Sequence, residues 1–310
     1  MMRAAGAEAI AAKGWLRAHK WLLARRVSQL GILALFLAGP WFGLWIVKGT
    51  LSSSLTLGVL PLTDPYLLAQ SLAAGHVPYR EALIGAAIVV VFYLAVGGRV
   101  YCSWVCPVNM VTDAAAWLRR RLGIQSAKAP SAALRYWLLG ATLVASFASG
   151  TIAWEWVNPV SMMHRAIIFG VGAAWAVLAA VFLYDLLLGL KGWCGHVCPV
   201  GAAYSLLNFA AIPRVSAAAR ERCNDCMDCF TACPEPQVIR PALKGTGSPV
   251  IKAVNCTTCG RCVDVCSKEV FRITTRFDHR RDSHEQQALE LARGPGSRDA
   301  RPAFEHSRAG

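Results

Sequence analysis

All twelve cysteines of this chain fall into four tight groups, and thiols clustered in this way are candidates for metal ligation or redox exchange. Cys223, Cys226, Cys229 and Cys233, followed by Pro234, form a C-x2-C-x2-C-x3-C run, and Cys256, Cys259, Cys262 and Cys266 repeat it. Such a run sets three thiolates around one iron–sulfur cubane from a short loop and sends the fourth to a neighbouring cubane. The spacing therefore predicts Cys223, Cys226, Cys229 and Cys266 on one [4Fe–4S] centre, and Cys256, Cys259, Cys262 and Cys233 on a second. Four-cysteine zinc sites usually read as two C-x2-C pairs across a longer gap. Disulfide frameworks belong to short secreted domains. The doubled run favours iron–sulfur chemistry over both.

The other four thiols, Cys102/Cys106 and Cys194/Cys198, sit in two C-x3-C-P motifs, R-V-Y-C-S-W-V-C-P-V at Arg99–Val108 and K-G-W-C-G-H-V-C-P-V at Lys191–Val200. With Pro107 and Pro199 at first helical positions, Cys106 and Cys198 stand at helix N-termini, where backbone N–H groups lower a thiol pKa. These thiols suit redox exchange or metal ligation, either as one convergent site or as two separate pairs; packing of small apolar cysteines is the plainer alternative. Tyr101, Trp104 and Trp193 beside them suit an electron-transfer or quinone-ring surface, or equally a membrane interface.

The elements that must position these thiols are mostly apolar. The 310 residues are 55% hydrophobic and only 16% charged, too apolar for a soluble cluster carrier. Four stretches, Ser28–Val47, Ala82–Gly98, Leu134–Trp154 and Ala166–Leu190, approach the ~20 apolar residues that a crossing helix needs, with Pro40 expected as a tolerated kink. Basic residues gather before the first stretch (Arg3, Lys13, Arg17, Lys20, Arg25, Arg26) and between the second and third (Arg99, Arg119, Arg120, Arg121, Lys128, Arg135), leaving Lys48, Arg80 and Arg165 in the other loops. That bias places both termini on the cytoplasmic side and accounts for the net charge of +14 without nucleic acid.

The membrane part reads as one unit written twice. Thr63-Asp64-Pro65 precedes Cys102 by 37 residues, and Val157-Asn158-Pro159 precedes Cys194 by 35. Two spans per unit put both C-x3-C-P motifs on the cytoplasmic face and both Asx-Pro motifs on the opposite one. The expected architecture is an α-helical integral membrane protein of four transmembrane helices, arranged as two repeated two-span units and followed by a small α+β ferredoxin-like domain with two [4Fe–4S] clusters. Its parts are a basic cytoplasmic segment at 1–27, the membrane domain at 28–212, the two-cluster domain at 213–273 and a disordered basic tail at 274–310.

Two C-x3-C-P membrane repeats followed by two cluster runs resemble the NosR/NapH superfamily of polytopic iron–sulfur proteins, and its NapH branch most. The blocks that carry the resemblance are S-L-T-L-G-V-L-P-L-T-D-P at Ser54–Pro65, G-G-R-V-Y-C-S-W-V-C-P-V-N at Gly97–Asn109, W-E-W-V-N-P-V-S-M at Trp154–Met162, G-W-C-G-H-V-C-P-V-G at Gly192–Gly201 and R-C-N-D-C-M-D-C-F at Arg222–Phe230. They cover about residues 25–275; Ser267 stands where a Pro follows the last cysteine of a bacterial run. The resemblance implies a multi-pass protein of the bacterial inner membrane that oxidises quinol and passes electrons toward a periplasmic nitrate reductase. Its implied partners are the periplasmic ferredoxin-type subunit NapG and, often, a membrane-anchored multihaem cytochrome. The chain has no C-x-x-C-H haem motif of its own. Two other classes stay open, a metal-handling assembly factor and a redox-sensing membrane scaffold.

Quinol oxidation releases protons, so a quinol site needs an acceptor. His164 and Arg165, one short loop from Glu155, form the best group by proximity in sequence. Asp64, Tyr66, His76, Arg80 and Glu81 are further polar residues on that side, and His19 is a weaker candidate on the other.

Overall fold

The computed structural model describes residues 5–124, 130–170, 172–189, 192–245 and 247–278. Two short helices, α1 (Ala7–Lys13) and α2 (Trp15–Ala18), lead into α3 (Lys20–Phe42), and Gly43 at φ 71° ends α3. A three-stranded antiparallel meander follows: β1 (Val47–Gly49), β2 (Ser53–Thr56) and β3 (Leu60–Thr63), in the register Lys48↔Leu55 and Ser54↔Leu62. Next come α4 (Pro65–Ala73), α5 (Arg80–Val96), α6 (Val108–Leu122), α7 (Leu134–Ser149), α8 (Pro159–Phe169), α9 (Gly172–Leu187) and α10 (Pro199–Leu207). The last part holds β4 (Pro213–Ser216), α11 (Asp228–Ala232), α12 (Ile239–Lys244), α13 (Arg261–Val265) and β5 (Arg272–Thr275).

One helix, α3 at 23 residues, is long and apolar enough to cross a membrane among the described residues. The helices at the other three expected spans hold 17, 16 and 16 residues. Pro40 lies inside α3, but Val47, expected at the end of that span, belongs to β1. Trp154, expected to close the third span, lies in a 3-10 turn after Gly150 has capped α7 at φ 65°. The fourth expected span is not one helix: Gly170 caps α8 at φ 65°, and α9 begins at Gly172 and packs back on α8. A left-handed residue is incompatible with continuing the helix, and glycine takes that conformation without a Cβ penalty.

These reversals change where the repeated motifs lie. Because α8 runs out and α9 returns, Asn158 and Pro159 come to the same cavity as Cys194 and Cys198. The expectation that the Asx-Pro motifs occupy the opposite surface is therefore wrong for the second unit. In the first unit α4 packs on α5 in the same way, and Asp64 accepts a hydrogen bond from Tyr204 Oη on α10 at 3.3 Å. Each Asx residue caps its helix, with Asp64 accepting from Tyr66 N–H at 2.9 Å and Asn158 from Val160 N–H at 3.1 Å, and Pro follows at the first position.

The cluster domain closes through the antiparallel pair β4–β5, with Val215 opposite Ile273. Its core joins Val215, Ile239, Leu243, Ile251, Val270 and Phe271 to Cys229, Cys256 and Cys262. Thr274 and Thr275 complete β5, so the domain runs past the expected boundary at 273; residues 279–310 of the expected disordered tail lie outside the described residues. The N-terminal segment packs on the cluster domain. Gly6 N–H donates to Asp228 at 2.9 Å, Lys13 Nζ to the carbonyls of Val263 and Cys266 at 2.7 and 3.1 Å, and the Trp21 and Leu22 amides to Asp264 at 3.1 and 2.9 Å.

Candidate metal centres and their surroundings

Three cavities are each lined by four cysteines. The first, about 350 Å³, is bounded by Cys223, Cys226, Cys229 and Cys266 with Met227, Phe230 and Phe271. The second, also about 350 Å³, is bounded by Cys233, Cys256, Cys259 and Cys262. These are the two sets that the doubled run pairs, with Cys266 and Cys233 exchanged between runs. The third, about 420 Å³, gathers Cys102, Cys106, Cys194 and Cys198. Among the described residues no three His, Cys, Asp or Glu side chains converge on a point where one metal ion would sit. Thiols set around a volume match a polynuclear cluster rather than a lone zinc ion.

The loops are shaped for an anionic cluster. In the first run Asp225 and Met227, on either side of Cys226, take φ 55° and 63°. In the second, Thr258 and Gly260 flank Cys259 with φ 47° and 74°. Left-handed residues at equivalent places turn successive N–H groups inward into nests of the kind found at iron–sulfur sites. Gly260 also needs its missing side chain, since a Cβ there would lie 2.4 Å from Trp21 Cγ.

The first centre lies near solvent, with Cys226 exposed, whereas Cys256, Cys259 and Cys262 are buried. Burial pushes Cys229 up to about 12. For Cys259 burial acts the same way, but the guanidiniums of Arg261 and Arg25 outweigh it and bring this thiol down to about 6. Arg261 is held in turn by Asp113 of α6 at 2.8 and 2.9 Å, and Arg26 of α3 donates to the same carboxylate at 2.5 Å. The cation beside the second centre thus also ties the cluster loop to α3 and α6.

The third cavity repeats one local design. Tyr101–Val105 and Trp193–Val197 are single π-turns, closed by Cys106 N–H to Tyr101 O and Cys198 N–H to Trp193 O, both at 2.9 Å. The wider turn brings the paired thiols to one side. Cys106 and Cys198 do stand at helix starts, yet burial pushes all four thiols up, Cys198 to about 12. The expectation that helix N-termini lower these pKa values is overturned, because the loss of water outweighs a few N–H groups.

The second and third cavities adjoin. Ser103 Oγ donates to Thr257 O at 2.8 Å, one residue from Cys102 on one side and from Cys256 on the other, and Trp104 Nε1 donates to Thr258 O at 3.2 Å. Glu235, on the wall of the second cavity, pairs with Arg99 at 3.3 Å and with Arg135, all three essentially inaccessible to water. Arg135 also donates to Gly195 O at 2.7 Å. Sequence reading missed this triad; Arg99 and Arg135 read as flanking charges, and nothing local marks Glu235 as their partner.

The quinol-site candidates are not brought together. Glu155 accepts from Asn158 Nδ2 at 2.6 Å and from Ser161 Oγ at 2.7 Å. His164 is buried, edge-on to Phe36 at 6.1 Å, while Arg165 faces outward. Asp64 has the stronger surroundings. It is half-buried, its carboxyl pushed up to about 6 by the loss of water, and it bonds Tyr204, whose ring stacks on Tyr101 at 4.7 Å. Tyr101 lines the third cavity.

The sequence is similar to those of known proteins. A family profile described as a 4Fe-4S binding domain matches residues 81–125 and 169–213, and one described as a 4Fe-4S dicluster domain matches 222–270. The chain is 51% identical over 276 residues to the ferredoxin-type protein NapH of Escherichia coli, covering 89% of this chain and 96% of that protein. It is 54% identical over 276 residues to the methylamine utilization ferredoxin-type protein MauN of Methylorubrum extorquens, with the same coverage, and 52% identical over 269 residues to MauN of Paracoccus denitrificans, covering 87% and 95%. No solved structure matches significantly. With cluster-binding repeats, a dicluster domain and half of its residues shared along nearly the full length of these proteins, the chain belongs to the NapH/MauN family of ferredoxin-type iron–sulfur electron-transfer proteins.

Proposed function

We propose that this protein is the membrane subunit of a quinol dehydrogenase, taking electrons from quinol and passing them through partner subunits toward a periplasmic reductase. The observation that carries the reading is the docking of two four-thiol cavities onto apolar helices through buried ion pairs. A [4Fe–4S] cluster held by Cys223, Cys226, Cys229 and Cys266, and another by Cys256, Cys259, Cys262 and Cys233, would supply one-electron exchange. The residues around them would seat the cubanes, shield the second from water and fix their distance from the membrane part.

Four spans formed by α3, α5, α7 and α9 fit this role. At 1.5 Å per residue the shorter three reach roughly 24–26 Å, a few ångströms less than a core of about 30 Å, a mismatch that bilayers accommodate by local thinning. Their outer faces carry exposed Val91, Phe92, Trp137, Phe147, Trp175 and Leu183, which are suited to lipid tails. The charge bias orients both termini and the cluster domain to the cytoplasm of the inner membrane. Near the third cavity Asp64 is the group suited to accept a quinol proton, since a carboxyl with a pKa of about 6 is ionised at neutral pH. Without a haem motif the chain needs partners, a NapG-type ferredoxin subunit and a multihaem cytochrome, to reach periplasmic nitrate reductase.

The likeness to MauN supports a second reading, service to a methylamine-utilization chain in place of nitrate reduction. The test is anaerobic purification in mild detergent, addition of a quinol analogue, and low-temperature EPR with and without a quinone-site inhibitor. Inhibitor-sensitive reduction establishes the dehydrogenase reading, and the enzyme that co-purifies separates nitrate from amine. Clusters that dithionite reduces but quinol never does, with partners present, would sink it in favour of assembly or sensing.

A further inference from the structure

We propose that Cys102, Cys106, Cys194 and Cys198 together hold one further [4Fe–4S] cluster, shared between the two membrane repeats. The proposal rests on the iron–sulfur reading of the chain but not on quinol as the donor. The third cavity has the attributes that make the first two credible cluster sites. It is walled by four thiols and is of similar size, about 420 Å³ beside about 350 Å³. Each repeat contributes one pair from an identical π-turn, so neither unit can complete the site alone. The family profile that matches 81–125 and 169–213 describes each repeat separately; the fold brings the two together on a single volume.

The surroundings also suit the charge. A cubane with four thiolates carries a net charge of about −2, which a buried site must balance. Arg99 and Arg135 are buried at this point, with Arg99 Nη2 donating to Cys194 O at 3.5 Å and Arg135 Nη1 to Gly195 O at 2.7 Å. Arg99 Nε and Arg135 Nε and Nη2 are buried polar atoms with no protein hydrogen-bond partner, cations held just behind the cavity wall at Cys194 and Gly195. Three helices start at the cavity wall: α8 at Asn158–Pro159, α10 at Cys198, and α6 just after Cys106. Their N-terminal ends favour negative charge. A pair of disulfides would need no such cations. A packing role would leave the two guanidiniums with a single carboxylate, Glu235, between them.

The contact between Ser103 and Thr257 places this centre next to the second one, so the three sites form a series from the repeat interface to the solvent-near Cys226. The experiment is iron and acid-labile sulfide analysis, with Mössbauer spectroscopy, on the full-length protein purified anaerobically as isolated. The expected content is about twelve iron atoms and twelve sulfides per chain, four for each of three cubanes. The double variant C102A/C198A should lose about four of each and keep about eight, and C223A/C226A should lose a different four with a distinct spectral component. About eight irons in the wild type, with the C102A/C198A count unchanged, would overturn the proposal, as would trapping of these four cysteines as disulfides. If the variant fails to fold, the wild-type count decides alone. A full count without quinol reduction would sink the dehydrogenase reading and leave this site standing, whereas eight irons with quinol reduction would do the reverse.

Discussion

Glu235→Gln isolates the energetics that join the cluster domain to the helices that precede it. The substitution keeps the side chain's size and one acceptor oxygen, turns the other oxygen into an amide donor, and removes the charge. Glu235 is 1% exposed, and the two guanidiniums that it neutralises, Arg99 and Arg135, are wholly buried. Removing one partner of a buried ion pair costs about 3–5 kcal/mol, because the remaining charge stays desolvated. With the proposed third cluster still beside the two cations, the lower half of that range applies, about 3–4 kcal/mol, or roughly a hundredfold to a thousandfold in the unfolding equilibrium. The assay is a guanidinium titration of the detergent-solubilised holoprotein, followed by visible cluster absorbance and near-ultraviolet dichroism, comparing E235Q with wild type. The exposed pair Asp225–Lys244 provides the control, and D225N should leave the midpoint unmoved. An E235Q curve within about 1 kcal/mol of wild type would refute the reasoning, since it would mean that the triad is hydrated or unformed.

Three further outcomes are expected. Asp64→Asn keeps the N-cap acceptor, as Asn158 does in the second repeat, but removes the proton acceptor: wild-type quinol-driven cluster reduction should fall as pH drops through about 6, where the carboxylate is protonated, and D64N should be slow and lack that step. Gly98→Ala puts a Cβ 1.9 Å from the Tyr204 carbonyl oxygen, so it should cost about 1–3 kcal/mol and disturb the Tyr204–Tyr101 stack, whereas Gly140→Ala, with nothing within 4 Å, should be silent in a thermal melt. Arg261→Met removes the leading cation beside Cys259, so in the apoprotein the midpoint of its alkylation, resolved by mass spectrometry, should rise from about 6 toward or above the usual thiol range; an unchanged midpoint would assign the effect to Arg25.

The doubled C-x2-C-x2-C-x3-C run predicts ligand sets that exchange Cys233 and Cys266, and the structure lines one cavity with each set, because what one short loop can reach is set by backbone geometry, a local property. The two-unit repeat was readable from its paired motifs, whereas the caps that Asp64 and Asn158 form emerge only in the structure. Span lengths were less legible. Apolar composition does not mark where a helix stops, and Gly43, Gly150 and Gly170 end theirs in left-handed turns inside or beside apolar stretches.

What the sequence determined by itself is the chemistry of the ligands: which residues are thiols, at what spacing, and that they come with a large apolar share. What only the tertiary structure decided is which thiols meet. Cys102 and Cys194 share a cavity because α8 and α9 fold back on each other and bring Asn158–Pro159 to the same wall. Glu235 becomes the partner of Arg99 and Arg135 only when the cluster domain docks. Contacts between residues that far apart in the chain follow from how helices reverse and pack, and burial, which lifts the thiols of the third cavity and raises the Asp64 carboxyl, is a property of the whole fold.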